Sequence, residues 1–297
     1  MVACPCEVCA SADPHDKRLR SSILVQSPST TLVIDTTPDF RYQMLRAGIR
    51  KLDAVIFTHP HKDHLAGLDD VRAYNFFQRR AMDLYANEMT QEAIVREFPY
   101  AFADTRYPGI PELRLNRIHE EPFTIGDIVI TPIQVWHMKM PVLGFRFGNF
   151  TYITDANRIE DHQREKIRGS EQIVLNALRH EKHLSHFSLD EAIGEFQKVA
   201  KAIQKGKPFR YAMNCATMLA LSFRDKGEPK ISSLWYRRAL DVPGLDQETI
   251  MALRYDLGIS LEMAGEADAA LDCFRQVYSM NIDYRDIADR IATLQHH

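Results

Sequence analysis

The chain has 297 residues, 45% hydrophobic and 26% charged, with a formal net charge of −3. That is the composition of an ordinary globular protein, long enough for one large domain or two smaller ones around a sizeable core. It excludes a general nucleic-acid binder, because no basic block stands out, and a membrane span, because no apolar run approaches the roughly 18 residues one needs.

The first residues, Met1-Val2-Ala3-Cys4, lack the basic and then apolar order of a signal peptide, so a cytoplasmic, reducing location is expected. There the five cysteines are not read as a disulfide framework. Cys4, Cys6 and Cys9 are crowded into C-x-C-x-x-C, which favours thiolate–metal binding. Short apolar, β-branched runs follow at Ser22–Val25, Thr31–Ile34 and Ala54–Phe57. Leu52–Phe57 reads as a buried strand and runs directly into Thr58-His59-Pro60-His61-Lys62-Asp63-His64-Leu65-Ala66-Gly67. On a loop after a strand, His59 and His61 (i, i+2) converge on one metal, while Asp63 and His64 turn toward a second. Imidazole and carboxylate donors suit zinc, manganese or iron. Gly67 is expected to let the chain turn tightly into the next helix. Helical stretches at Leu68–Arg80 and Thr90–Phe98 alternate with further strands at Ile128–Ile133, Gly144–Phe147 and Thr151–Ile153, the pattern of an α/β domain.

From Ser188 the chain reads as helical throughout. Ser188-Leu189-Asp190-Glu191 has capping-box spacing, the apolar residues from Leu189 to Ile203 recur on one face, and Gly206 and Pro208 stop that helix. An internal repeat begins after Phe209. Leu219, Ala220, Phe223, Gly227, Ser232, Tyr236 and Ala239 recur 38 positions later as Leu257, Gly258, Leu261, Gly265, Ala270, Phe274 and Val277. The order of large, small, large, turn glycine, small, aromatic and apolar resembles the tetratricopeptide repeat, with about four residues inserted. A last helix with Ile287, Ile291 and Leu294 on one stripe caps the array. Cys215 and Cys273 fall inside the helical pattern and read as packing residues.

The metal loop and the residues around it resemble the metallo-β-lactamase superfamily, and within it the PhnP branch of phosphoribosyl cyclic phosphate phosphodiesterases. The matching segments are C-x-C-x-x-C with Ser11–Ser22, Ile34-Asp35, Pro38-Asp39-Phe40-Arg41, Gly67-Leu68-Asp69-Asp70-Val71-Arg72, Trp136-His137 and Tyr152-Ile153-Thr154-Asp155. The resemblance implies an α/β fold, a metallo-β-lactamase αββα sandwich shortened at both ends, over residues 1–204. An all-α, tetratricopeptide-like segment follows over 209–297. It also implies that His59, His61 and His137 ligate one metal, Asp63 and His64 a second, and that Asp155 bridges them. Asp35 is placed to orient a ligand histidine. His186 matches the family's general acid, with His180 and His183 as rivals.

Two zinc or manganese ions there would lower the pKa of a bridging water, supplying hydroxide at neutral pH. The implied activity is hydrolysis of a small, possibly cyclic, phosphodiester, with the repeats available to a protein partner. A structural zinc is expected at Cys4, Cys6 and Cys9. The branch's opening strand and its late Thr-His-x-x-His-like segment have no match: the chain starts three residues before Cys4, and the next histidines after His186 are His296 and His297. His15 and His186 are the candidates to replace the lost ligand. The alternative is a catalytically degenerate metal-binding domain serving a repeat-mediated scaffold.

Overall fold

The computed structural model describes residues 3–13, 16–103, 108–203 and 210–295. The chain forms two compact units, Met1–Gln134 with Pro141–Phe147, and Val135–Met140 with Gly148–His297.

The first unit opens with the short helix α1 (Glu7–Ala10) and the hairpin β1 (Ile23–Gln26) and β2 (Thr31–Ile34). It continues through α2 (Phe40–Ala47), β3 (Ala54–Ile56), α3 (Lys62–Leu65), a 3-10 turn (Leu68–Val71) and α4 (Arg72–Gln78). Then come β4 (Met82–Ala86), α5 (Glu88–Glu97), β5 (Leu113–Arg117), β6 (Phe123–Ile125), most of β7 (Ile128–His137) and of β8 (Met140–Phe147). Its sheet has the order β1-β2-β3-β4-β5, antiparallel at the first pair and parallel from β2 onward. Strands buried on both faces are apolar almost throughout, and every residue of β2 and β3 is buried, all apolar but Thr31. Val33, Phe40, Val55, Phe57, Leu65, Leu68 and Ile94 build the core beside them, each side chain contributing roughly 1.5–3 kcal/mol through burial. The register pairs Ile34 with Ile56, so β2 and β3 end level with each other. Asp35 and the Phe57–Thr58 step therefore leave the sheet side by side, and the Asp35 N–H donates to the Ile56 carbonyl at 2.8 Å.

Two helix boundaries differ from the sequence expectation. The stretch beginning at Leu68 opens as a 3-10 turn and becomes α-helical at Arg72. Helix α5 starts at Glu88 rather than Thr90, because the Asn87 side chain accepts from the Thr90 N–H and caps it two residues earlier. Gly67 also has a different role from the one expected. Its φ of −88° and ψ of 5° are open to any residue. What requires glycine is space, since a Cβ here would lie 2.1 Å from the Thr37 carbonyl oxygen.

The second unit contains the end of β7, β9 (Phe150–Ile153), β10 (Arg158–Ile159), α6 (Asp161–Ile167), β11 (Gln172–Leu175), and helices α7 (Leu189–Ile203), α8 (Arg210–Asp225), α9 (Pro229–Leu240), α10 (Gln247–Met263), α11 (Ala267–Met280) and α12 (Ile287–Gln295). Strands β6 to β11 belong to a second, mixed sheet. In this unit β10 pairs antiparallel with the end of β7, Arg158 facing Trp136, and β11 runs parallel to β9. The capping box of α7 is formed: the Ser188 N–H and hydroxyl donate to the Glu191 carboxylate at 2.9 Å, and the Glu191 N–H returns to Ser188 Oγ. Gly206 and Pro208, assigned to stop α7, lie outside the described residues.

The 38-residue repeat is realised as two helix hairpins, α8–α9 and α10–α11. Gly227 and Gly265 both adopt the left-handed conformation, with φ of +80° and +79°. Each closes the same Schellman-type turn, Glu228 N–H to Phe223 O and Glu266 N–H to Leu261 O, both 2.9 Å. Ala220, Tyr236, Leu257, Phe274 and Val277 share one core, which Ile287 of α12 joins. Cys273 packs at its edge, where burial raises its thiol pKa; Cys215 falls within α8. No helix among the described residues is long and apolar enough to cross a membrane.

Candidate metal centre

In the first unit the strand ends fix the site. Asp35, with no exposed surface and a left-handed φ of 65°, turns its carboxylate under the metal loop. One oxygen accepts from the Thr58 N–H at 2.8 Å, and the other accepts from the Thr58 hydroxyl at 2.8 Å and from His64 Nδ1 at 2.7 Å. A carboxylate can only accept, so these contacts set the protons around it. His64 carries its proton on Nδ1, which puts the lone pair on Nε2. The Thr58 hydroxyl has spent its proton on Asp35, so at 2.9 Å it accepts from His59 Nδ1, and His59 Nε2 carries the lone pair.

That nitrogen lies 3.1 Å from Nδ1 of His61. Two ligand nitrogens on a tetrahedral zinc are about 3.3 Å apart, from metal–nitrogen distances of about 2.0–2.1 Å. The separation fits a shared cation. The rings of His59 and His64 are 4.1 Å apart, and both are buried, whereas His61 and Asp63 face solvent. Asp63 keeps a side-chain oxygen 3.7 Å from His64 Nε2. The Leu143 N–H of β8 holds the Thr58 carbonyl at 2.9 Å, tying the loop to a second strand.

The second unit holds the other predicted residues together. His137, at the end of β7, donates from Nδ1 to the Ser185 carbonyl at 2.7 Å, which puts the lone pair on Nε2, the tautomer a metal-binding histidine takes when its other nitrogen is held by a carbonyl. His186 lies with its ring 4.6 Å from His137 and its Nδ1 3.6 Å from the Asp155 carboxylate. His183 is next to His186, and its Nδ1 accepts from Ser185, while His180 is exposed. Asp155 follows β9 with φ of 50°.

Two asparagines that the sequence reading passed over hold this loop. Asn176 makes paired hydrogen bonds, 2.8 and 3.0 Å, to both backbone groups of Ala156. Asn157 accepts from the Met138 N–H and donates to the Leu184 carbonyl. Asp-x-Asn after an apolar strand is the only signal for Asn157, and Asn176 has none.

Near the N-terminus, the Cys4, Cys6 and Cys9 sulfurs lie within 4.8 Å of one another, and none is in a disulfide. The Cys9 backbone N–H, aided by the neighbouring thiols, pulls the Cys6 thiol down to about 7. His15, His296 and His297 lie outside the described residues.

A model of the beta-lactamase superfamily domain matches residues 30–205. The chain belongs to that superfamily. Enzymes of its metallo-β-lactamase fold bind divalent metals, typically zinc, and the donors described above are of that kind. A solved structure described as a new diphosphatase from the PhnP family is 40% identical, with a TM-score of 0.62, covering 67% of this chain and 76% of that one. An octanoyltransferase of Porphyromonas gingivalis is 37% identical over 195 residues, 65% of this chain and 39% of its own length. A ribonuclease Z of Bradyrhizobium is 27% identical over 142 residues, 46% of each chain. The chain thus spans less than half the length of these two curated relatives.

Proposed function

We propose that this protein is a metal-dependent phosphodiesterase of the PhnP branch, acting on a small phosphodiester, with a cyclic phosphate as the first candidate. The observation that carries the reading is the Asp35–Thr58 network, which presents Nε2 of both His59 and His64 from a buried loop. The 40% identity to a PhnP-family diphosphatase supports the branch. His59, His61 and His137 would hold one cation, Asp63 and His64 a second, and Asp155 would bridge. Divalent cations bound there supply Lewis acidity toward a phosphoryl oxygen and lower the pKa of water. His186 hands a proton to the departing alkoxide, oriented by the Asp155 carboxylate beside it.

Cys4, Cys6 and Cys9 form a structural zinc site in this reading. The hydrolase domain runs over 1–204, in keeping with the match to residues 30–205. The helices of 209–297 are a tetratricopeptide-like module for a protein partner, supported by the two identical glycine turns.

The test is hydrolysis of bis-p-nitrophenyl phosphate and of a cyclic ribose phosphodiester with zinc or manganese. Metal per chain is measured in parallel by plasma mass spectrometry, for wild type and His61→Ala. Two to three metals per chain, turnover, and loss of both in the variant are expected. One metal or fewer, unchanged by the mutation and without turnover, refutes the enzyme reading and leaves the scaffold.

A further inference from the structure

We propose that the face between α2 and α4 is a docking groove for an acidic amphipathic helix of a partner protein. The groove has a volume of about 650 Å³. Phe40, Met44 and Tyr74 form its buried floor, and Leu45, Ile49 and Phe77 form its walls. Phe77 is 78% exposed and Leu45 65%. Single exposed apolar residues are normal, but two large ones walling one apolar trough mark a surface that something covers.

The charge around the groove selects its occupant. Arg41 and Arg50, both in its lining, are exposed with no carboxylate partner among the described residues. The acids nearby are engaged: Asp53 with Lys51 and Arg80, and Asp69 with Arg72 and the Tyr100 hydroxyl. Only Asp70 offsets the arginines in the lining of the groove. Two arginines against one aspartate thus leave a net positive edge on an apolar trough, in a chain whose net charge is −3.

A second copy of this chain is disfavoured, because a closed two-fold pair would bring the same arginines face to face. A nucleic acid is disfavoured because two arginines in the lining are too few to track a phosphate backbone, and the trough beside Phe77 is largely aliphatic at Met44, Leu45 and Ile49. A helix with an apolar stripe and glutamates or aspartates beside it satisfies both features, in the helix-in-groove mode.

The probe is a fluorescein-labelled peptide of about 15 residues, leucines at i, i+3, i+4 and i+7 and glutamates elsewhere, read by anisotropy. Its lysine counterpart keeps the same leucines. The acidic peptide is expected to bind at least about tenfold tighter than the basic one. Arg41→Glu with Arg50→Glu should invert that order, and Phe77→Ser should weaken both peptides, with circular-dichroism melts unchanged because these side chains are exposed. Equal binding of the two peptides, no saturable binding, or indifference to the arginine reversals overturns the proposal. A wild-type dimer dissolved by Phe77→Ser overturns it in favour of self-association, and displacement of the acidic peptide by oligo-dT overturns it in favour of nucleic acid.

Discussion

Asp35→Asn changes the buried carboxylate by a single atom, yet it should disable two ligand histidines. The second carboxylate oxygen accepts from both Thr58 Oγ1 and His64 Nδ1, at 2.8 and 2.7 Å. An amide nitrogen there can only donate. To accept from it, His64 must move its proton to Nε2, the atom meant for metal. The Thr58 hydroxyl must turn its own proton toward His59 Nδ1, 2.9 Å away, and that histidine then also carries its proton on Nε2. Flipping the amide spares the histidines but sets its NH₂ against the buried Thr58 N–H, 2.8 Å from the other oxygen, an unmade bond of about 1–3 kcal/mol. Replacing a group that orients metal ligands typically costs about 10–100-fold in affinity, or roughly 1.4–2.7 kcal/mol. Zinc affinity measured by competition with a chromophoric chelator should fall by that factor, with the far-ultraviolet circular dichroism of the variant unchanged. Wild-type affinity, within about twofold, in a folded Asp35→Asn protein would show that these hydrogen bonds do not set the ligand tautomers.

Gly67→Ala forces a Cβ to within 2.1 Å of a backbone oxygen that cannot rotate away, so at least about 1–3 kcal/mol should be lost in urea titrations. Gly227→Ala and Gly265→Ala each place a side chain in the left-handed region at equivalent turns. Similar losses of about 1–2 kcal/mol are expected, and a large inequality between them would argue against equivalence of the two hairpins. The Ser188 N–H holds the Glu191 carboxyl below its ordinary value of 4.5. Its contribution is therefore present above about pH 4.5 and fades as pH falls through the lower folded-state value. Glu191→Gln should flatten that part of the stability–pH curve, and an unchanged acid limb counts against the capping box.

The arrangement of the loop side chains was legible because their chemistry is local. A strand ending in Phe57 and the H-x-H-x-D-H spacing together specify where His59 to His64 go, and the β2–β3 register delivers Asp35 beside them. The repeat was legible for the same kind of reason, since residues 38 apart occupy the same turn twice. What escaped the sequence were contacts made by ordinary polar residues across long separations. Asn176 holds Ala156 from 20 residues away, and the Ser185 carbonyl orients His137 from 48 residues away; neither residue type announces such a role.

Gly67 shows how a correct residue can be read for the wrong reason. In sequence, glycine at the end of a loop suggests a conformational need, because positive φ is what glycine alone adopts readily. Here φ is −88°, and the need comes from the Thr37 carbonyl and the Phe40 side chain, about 30 residues earlier. Those atoms are where they are because α2 starts five residues after Asp35 and must pack over the start of the Leu68 turn. The Gly67 N–H donates to the Thr36 carbonyl at 2.9 Å, so the two chain segments touch backbone to backbone. That contact joins the segment carrying Asp35 to the loop carrying its partners. A single methyl group inserted there should therefore lower stability and metal affinity together, whereas the same methyl at Gly227 or Gly265, in the hairpin turns, should lower stability alone.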